Sequence, residues 1–208
     1  MNRKFVKNSN LILRKVLQST DCQEILKDLI ESIVRIKIKR IIINGNPLQI
    51  YQTNKVYGIV DVRVTTEKNE EINIGIQIID GDYIQNKMFL YYAKIHSNQV
   101  LYDDNRKVAR TITINILDMS YFNSIQYHRI IKIKTNILND NFLETMELHV
   151  LELPKYNKDL TEKISSKDAW MLYLKGKDAY TIKRAKMINE NIKKLDDKIN
   201  NYWKKEKI

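Results

Sequence analysis

The sequence reads VYGIVDVRVTT at residues 56–66 and INIGIQII at residues 72–79, and these two stretches decide the predicted fold. Both are rich in β-branched residues, and the EKNEE between them is an acceptable hairpin connection. Alternate residues of a strand face opposite sides of its sheet, so each strand has one apolar face, with Asp61 and Gln77 on the other. The residues alone leave open whether Asp61 pairs with Arg63, accepts a backbone amide or binds a cation.

Helical and strand-like segments alternate on both sides of this hairpin. Apolar residues at helical spacing predict a helix from about residue 21 to residue 34. A helix is also predicted from about residue 83 to residue 99, and we expect four of its residues near the buried side: Phe89, Leu90, Ala93 and Ile95. Further strands are predicted at residues 36–43, 111–117, 127–134 and 146–153. The order predicts an α/β core, with a central sheet flanked by helices.

The last quarter of the chain is predicted to be helical. One amphipathic helix contains Trp170 and is expected to stop at Gly176, and a longer charged helix is expected from about Thr181 to Trp203. We therefore predict a core domain over residues 1–155. Residues 156–208 are predicted to form a basic helical extension, either packed on the core or projecting from it.

Composition excludes several classes of protein. The 208 residues are 43% hydrophobic and 29% charged, which is enough apolar material for a core. The single cysteine, Cys22, excludes an internal disulfide framework and a zinc site built from several cysteines. There is no run of about 18 uncharged apolar residues, and Arg14 and Lys15 interrupt the N-terminal apolar stretch. We expect a cytoplasmic protein with no membrane partner.

The charge is concentrated at the two ends of the chain. Residues 1–43 carry a net charge of +6, residues 44–154 carry −2, and residues 155–208 carry +7, within a total of +11. Basic regions of this kind attract polyanions, so DNA is the expected partner. The alternative is that these basic helical faces are only solvated.

Common catalytic motifs are absent. The three histidines, His96, His128 and His149, are scattered in the sequence without metal-site spacing, and no HExxH or glycine-rich phosphate loop occurs. We expect each histidine to be a structural residue, either exposed or hydrogen-bonded.

The ordered set of motifs resembles that of the PD-(D/E)XK nuclease family transposases, also called recombination-promoting nucleases. The motifs are GIVDV, INIGIQ, the helix containing Lys87 and Tyr92, TINIL, LELPKY and the helix from Trp170 to Leu174. They extend over roughly residues 9–175. The resemblance implies a restriction-endonuclease-like core that cuts DNA with Mg²⁺.

The resemblance also implies roles for particular residues. Asp61 takes the place of the metal-binding aspartate, and the backbone carbonyl of Ile76 can also face the metal. Gln77 takes the place of the residue that positions the attacking water. Lys87 stands where the family usually has an arginine, so it and Arg63 are the expected nucleic-acid contacts.

Gly75 occupies the position of the second metal-binding carboxylate, the motif glutamate. Glycine has no side-chain ligand, and Mg²⁺ sites usually use one or two carboxylates together with substrate phosphates. Asp80 and Asp82 follow the strand and are the candidate replacements, although Asp80 has the wrong parity. We therefore expect DNA binding with impaired cleavage, and we expect Gly75→Glu to restore metal binding.

Several alternatives stay open at the level of sequence. An active protein would be a Mg²⁺-dependent DNA endonuclease. An inactive one could be an interaction module of mobile-element or phage origin that acts as an inhibitor or decoy and holds a protein partner. A decaying remnant is disfavoured by the intact hydrophobic patterning of every strand. A homodimer is compatible with the sequence but is not indicated by it.

Overall fold

A computed structural model describes residues 12–13, 15–44, 59–79, 81–99, 108–132, 146–158, 163–176 and 178–206. The main helices are α1 (Gln23–Val34), α2 (Ile84–Ser97), α3 (Ser166–Lys175), α4 (Ala179–Ile188) and α5 (Glu190–Glu206). The strands are β1 (Ile38–Ile43), β2 (Ile59–Thr66), β3 (Glu71–Ile79), β4 (Arg110–Leu117), β5 (His128–Lys132) and β6 (Met146–Glu152).

The six strands form one mixed sheet in the order β1-β2-β3-β4-β6-β5. β1 pairs with β2 and β2 pairs with β3 in the antiparallel sense, and the short connection between β2 and β3 makes these two a hairpin. β4 is parallel to β3, and α2 lies between them in the chain as the crossover helix. β6 is parallel to β4 and pairs with β5 in the antiparallel sense. The predicted α/β fold, a central mixed sheet flanked by helices, is confirmed.

The two faces of the sheet are covered by different helices. On one face, a large apolar cluster joins β-strand residues such as Val62 and Ile114 to α1, α3 and α5. Trp170 of α3 and Leu195 of α5 are fully buried in this cluster. On the other face, Ile84 and Met88 of α2 pack in a smaller cluster against β3, β4 and β6. The domain boundary at residue 155 stays a prediction.

Helix α2 packs through a different stripe from the one that we predicted. Its buried residues are Ile84, Met88, Tyr91 and Ile95. Phe89 and Leu90 are 42% and 61% exposed, and Ala93 is exposed as well, so the prediction for these three residues is wrong. The buried residues recur at intervals of three and four, which places them on one face of the helix. The Tyr91 hydroxyl belongs to this buried stripe, so the helix presents a hydrogen-bonding group to the polar residues of the strands.

The predicted long C-terminal helix is interrupted at Asn189, whose backbone is extended. The Asn189 side-chain oxygen accepts the amide of Asn191 at 2.8 Å, so it caps α5. Its amide donates to Asp28 at 2.6 Å, and the indole of Trp170 donates to the same carboxylate at 2.8 Å. The helix break therefore depends on a partner 161 residues away in the chain.

Some predictions fall on residues that are not described. These are residues 56–58 and 133–134 of two predicted strands, and Asp80. In the described part of the chain, no helix has the length and apolar character needed to cross a bilayer.

Candidate functional site

The candidate site is a buried polar layer on the face of β2, β3 and β4 that α2 covers. Strand register places Asp61 directly opposite Gly75, and Gly75 beside Thr113. Side chains on this face alternate with the apolar residues that fill the cluster on the other face. We define the polar layer as six side chains, each at most 7% exposed: Asp61, Asn73, Gln77, Thr111, Thr113 and Asn115.

Asp61 is hydrogen-bonded to the helix that covers it. The Tyr91 hydroxyl donates to the Asp61 carboxylate over 2.5 Å, and both residues are buried, at 0% and 6% exposure respectively. A neutral phenol therefore contacts the carboxylate. Since burial of a carboxylate without partners is costly, this hydrogen bond contributes to the stability of the layer.

Two side chains of α2 pack directly over Gly75. A Cβ atom added to Gly75 would lie 2.6 Å from the Tyr91 hydroxyl oxygen and 2.8 Å from Tyr91 Cε1, and it would be closer still to Ile95 Cδ1. Carbon contacts are favourable only at about 3.5–4.0 Å. A larger side chain at position 75 therefore requires the Tyr91 and Ile95 side chains to move.

Gln77 is engaged within the layer. Its amide donates to the Asn115 side-chain oxygen at 2.5 Å, and it is only 2% exposed. Asn115 in turn donates to the Thr113 hydroxyl and to the His149 carbonyl, each at 3.1 Å. Ile76 is paired with strands on both sides, in register with Val60 and Ile114, so its backbone lies within the sheet.

The two predicted nucleic-acid contacts lie on different elements. Arg63 is on β2, two residues from Asp61, and its Nε is 3.8 Å from Glu71 in a partly exposed ion pair. Lys87 is half-buried on α2. Asp82, one of the two candidate replacement carboxylates, is exposed beyond the end of β3. The structure thus brings Asp61, Gly75 and Gln77 together.

The residues present do not fit the divalent metal that nucleases of this fold typically use. Asp61 is the one carboxylate of the polar layer, and it accepts a hydrogen bond from Tyr91. Tyr91 and Ile95 fill the space in which a side chain at position 75 would reach a cation. Within the described ranges, no group of three or more His, Cys, Asp or Glu residues could hold a metal ion.

A second polar cluster lies on the opposite face of the sheet, and the sequence analysis missed it. His149 Nε2 is 2.6 Å from Glu147 Oε1, and His149 Nδ1 is 2.9 Å from His128 Nε2. His128 Nδ1 is in turn 2.6 Å from Lys167 Nζ. The available signal was Glu147 and His149 at alternate positions of an apolar strand, because a buried carboxylate requires partners.

Glu147 is the carboxylate of this cluster, and it is paired with several basic side chains. Arg110 lies 2.5 Å from it, and Lys132 lies 3.0 Å from it. Burial by itself would raise the pKa of Glu147, but the hydrogen bonds from His149, Lys132 and Arg110 outweigh burial and hold that pKa far below its usual range. Burial and the nearby Lys167 charge lower the pKa of His128 from 6.5 to about 3, so His128 is neutral near pH 7.

The mixed sheet, the crossover helix and the Asp61–Gly75–Gln77 arrangement define a restriction-endonuclease-like fold of the PD-(D/E)XK type. The family model described as PD-(D/E)XK nuclease family transposase matches residues 11–208, so the chain belongs to this family. The resemblance stated from the motifs is confirmed. No curated protein and no solved structure matches the chain.

Proposed function

We propose that this protein is a DNA-binding member of its family that does not cleave DNA at the family's metal site. The observation that carries the proposal is the contact of Tyr91 with Asp61 and with the space above Gly75. A metal-dependent phosphodiesterase needs an open position at which cation, water and phosphate meet. Here a tyrosine ring and an isoleucine side chain fill that position.

The expected ligand is the DNA backbone. The chain carries a net charge of +11, and its basic residues are concentrated in the two terminal segments. Neutralisation of phosphates by lysine and arginine releases counterions, which makes the binding strongly salt-dependent. We propose Arg63 and Lys87 as contacts beside the polar layer, because Arg63 lies two residues from Asp61 on β2 and Lys87 lies one helical turn from Tyr91 on α2.

Cleavage is tested on supercoiled plasmid with Mg²⁺ or Mn²⁺, and wild type is compared with Asp61→Asn. We expect equal, background-level nicking by the two proteins, since Asp61 binds no cation in this arrangement. Nicking by wild type that disappears in Asp61→Asn would overturn the proposal. DNA binding is tested on the same preparations by fluorescence anisotropy at several salt concentrations.

The structure adds a condition to the expected restoration by Gly75→Glu. The glutamate Cβ collides with Tyr91 and Ile95, so these side chains have to be truncated as well. We expect Gly75→Glu/Tyr91→Ala/Ile95→Ala to bind Mn²⁺ more tightly than Tyr91→Ala/Ile95→Ala in isothermal titration calorimetry. Circular dichroism on both proteins separates loss of the fold from failure to bind metal.

A protein partner is the second candidate function, and the outer face of α2 supports it. Phe89 and Leu90 are 42% and 61% exposed there, and Tyr83 just before the helix is 78% exposed. Exposed apolar patches are common at protein interfaces. In this case the family fold would act as an interaction module, and its binding would be insensitive to salt and lost in Leu90→Asp.

A further inference from the structure

We propose that Lys167 is a site of covalent acylation that takes acyl groups from small activated acyl donors such as thioesters. The proposal concerns the face of the sheet opposite to the polar layer and does not depend on DNA binding. Its basis is the environment of the Lys167 amine, which differs from that of the other half-buried lysines.

Several half-buried lysines of this protein are paired with a carboxylate. Lys155 lies 2.7 Å from Glu152, Lys158 lies 2.9 Å from Asp168, and Lys186 lies 2.7 Å from Asp196. A carboxylate at this distance stabilises the charged ammonium form. These lysines are therefore poor nucleophiles, because the protonated amine has no free electron pair.

Lys167 instead faces an imidazole nitrogen, His128 Nδ1, at 2.6 Å. It forms no ion pair with any carboxylate in the described ranges of the chain. Its Nζ atom also lies 5.2 Å from the centre of the Tyr127 ring. Burial and the positive charge of Arg35 lower the pKa of Lys167, and they outweigh the opposite influence of Asp168. More of this amine is unprotonated near neutral pH than at an ordinary lysine.

The chain of hydrogen bonds behind His128 defines its tautomer when His149 is neutral. Neutral His149 donates from Nε2 to the Glu147 carboxylate, which leaves His149 Nδ1 as an acceptor. His128 Nε2 therefore donates to His149, and His128 Nδ1 accepts from Lys167. We assign these protons from the pattern of partners. The arrangement of a nucleophile, its acceptor and a group that orients the acceptor is typical of activated side chains.

The reaction requires only the acyl donor. The Lys167 nitrogen attacks the carbonyl carbon of the thioester, and an N–C bond forms as the C–S bond breaks. The thiolate leaves with the proton that the nitrogen loses, so the products are an acylated lysine and a free thiol. The amide nitrogen keeps one N–H, which can still donate to His128 Nδ1. The modification is therefore compatible with the hydrogen-bond chain.

The test uses the full chain and one probe, the acetyl thioester of N-acetylcysteamine. Acetylation rates at individual lysines are measured by peptide mass spectrometry, with exposed Lys163 and carboxylate-paired Lys158 as internal references. Near pH 7 we expect Lys167 to react about tenfold faster than Lys163. The proposal is overturned if Lys167 reacts no faster than Lys163 between about pH 6 and pH 9.

A matched pair of variants tests the role of the neutral neighbour. His128→Gln keeps a neutral acceptor, so the Lys167 rate should stay within about twofold of wild type. His128→Glu is nearly isosteric with it but supplies a carboxylate, and we expect the rate to fall about tenfold. Equal rates in these two variants would contradict the proposed activation.

A second pair keeps the test valid if His128→Glu does not fold. Arg35 is exposed at the end of α1, so its replacement is compatible with the fold. Arg35→Gln removes the positive charge and should shift the pH profile of Lys167 acetylation to higher pH. Arg35→Lys keeps the charge and should leave the profile unchanged. In the described part of the chain, the charged or titratable groups that face the amine are Arg35, Asp168, His128 and Tyr127. A profile that is identical in both Arg35 variants would refute the inference.

Discussion

Two buried carboxylates on opposite faces of one sheet are stabilised in different ways. Asp61 accepts a hydrogen bond from the neutral hydroxyl of Tyr91, in the layer that α2 covers. Glu147 is surrounded by Arg110, Lys132 and His149, and its hydrogen-bond chain ends at the half-buried Lys167. The carboxylate on the face with the family motif is covered by α2. On the other face, the hydrogen-bond chain from Glu147 reaches a side chain that is partly exposed to solvent.

Under the proposed function, packed side chains replace the family's metal site on this face of the sheet. At position 75 the absent carboxylate leaves space that Tyr91 and Ile95 occupy, so the polar layer becomes part of the packed interior. A cluster with several charges, such as that around Glu147, needs charged partners and tends to remain near solvent. The absence of a side chain at position 75 therefore gives Tyr91 and Ile95 the space that they occupy in this packing.

The largest expected effect is that of filling the space at position 75. Gly75→Ala should lower the free energy of unfolding by about 3 kcal/mol, because the new methyl group overpacks against Tyr91 and Ile95. Urea denaturation measures this loss. In an Ile95→Ala background the same substitution should cost at least about 1 kcal/mol less.

Gly81→Ala is the control for this prediction. Its backbone φ is +70°, but nothing lies within 4 Å of the added Cβ atom, so only conformational strain of about 1 kcal/mol is expected. A Gly75→Ala protein as stable as Gly81→Ala would show that α2 does not seal the layer.

The next effect concerns the hydrogen bond between Tyr91 and Asp61. Tyr91→Phe removes this donor to a buried carboxylate and should cost about 2 kcal/mol in urea denaturation. Asp61→Asn should reduce that cost, because a neutral amide loses less when the phenol is absent. Additive losses in the double variant would mean that the two side chains do not interact.

A smaller effect is expected from pH on the opposite face. The folded pKa of His128, about 3, lies below its ordinary value of 6.5, so the unfolded chain binds a proton first as pH falls. Neutral His128 makes its full contribution to the free energy of unfolding above pH 6.5, and this contribution is lost as the pH falls toward 3. Between pH 6.5 and pH 3, the free energy of unfolding obtained from thermal melts should therefore fall by about 1–2 kcal/mol less in His128→Gln than in wild type. If wild type and His128→Gln lose the same amount of stability as the pH falls, His128 is not a buried neutral imidazole.

The smallest expected effect is on the salt dependence of DNA binding. Arg63→Gln and Lys87→Gln should each reduce the slope of log affinity against log salt by about 0.9, if each contacts one phosphate. Lys132 provides the matched control, since it is 3.0 Å from Glu147 on the other face. A slope that changes only in Lys132→Gln would place the DNA on the opposite face of the sheet.

Much of the fold could be predicted because its signals are local. The β-branched alternation of β2 and β3, the apolar strand at residues 111–117 and the stop at Gly176 are each carried by adjacent residues. The positions of Asp61, Gly75 and Gln77 on one face follow from strand parity alone. These features need no knowledge of what packs against them.

The errors concern features that depend on distant partners. The stripe of α2 that is buried depends on the polar layer beneath it, which favoured Tyr91 over the apolar Phe89 and Leu90. The break at Asn189 depends on Asp28, which no local pattern reveals. The histidine pair was missed because antiparallel pairing of β5 with β6 brings together residues that are 21 positions apart.

The sequence by itself determined which strands form, which faces are polar and that position 75 lacks a carboxylate, because each of these is written in side-chain type and in a period of two. Only the tertiary structure decided that Tyr91 lies over Asp61 and that Lys167 lies against His128. Those contacts depend on how helices dock onto a completed sheet, and docking is governed by complementary surfaces that local periodicity does not encode.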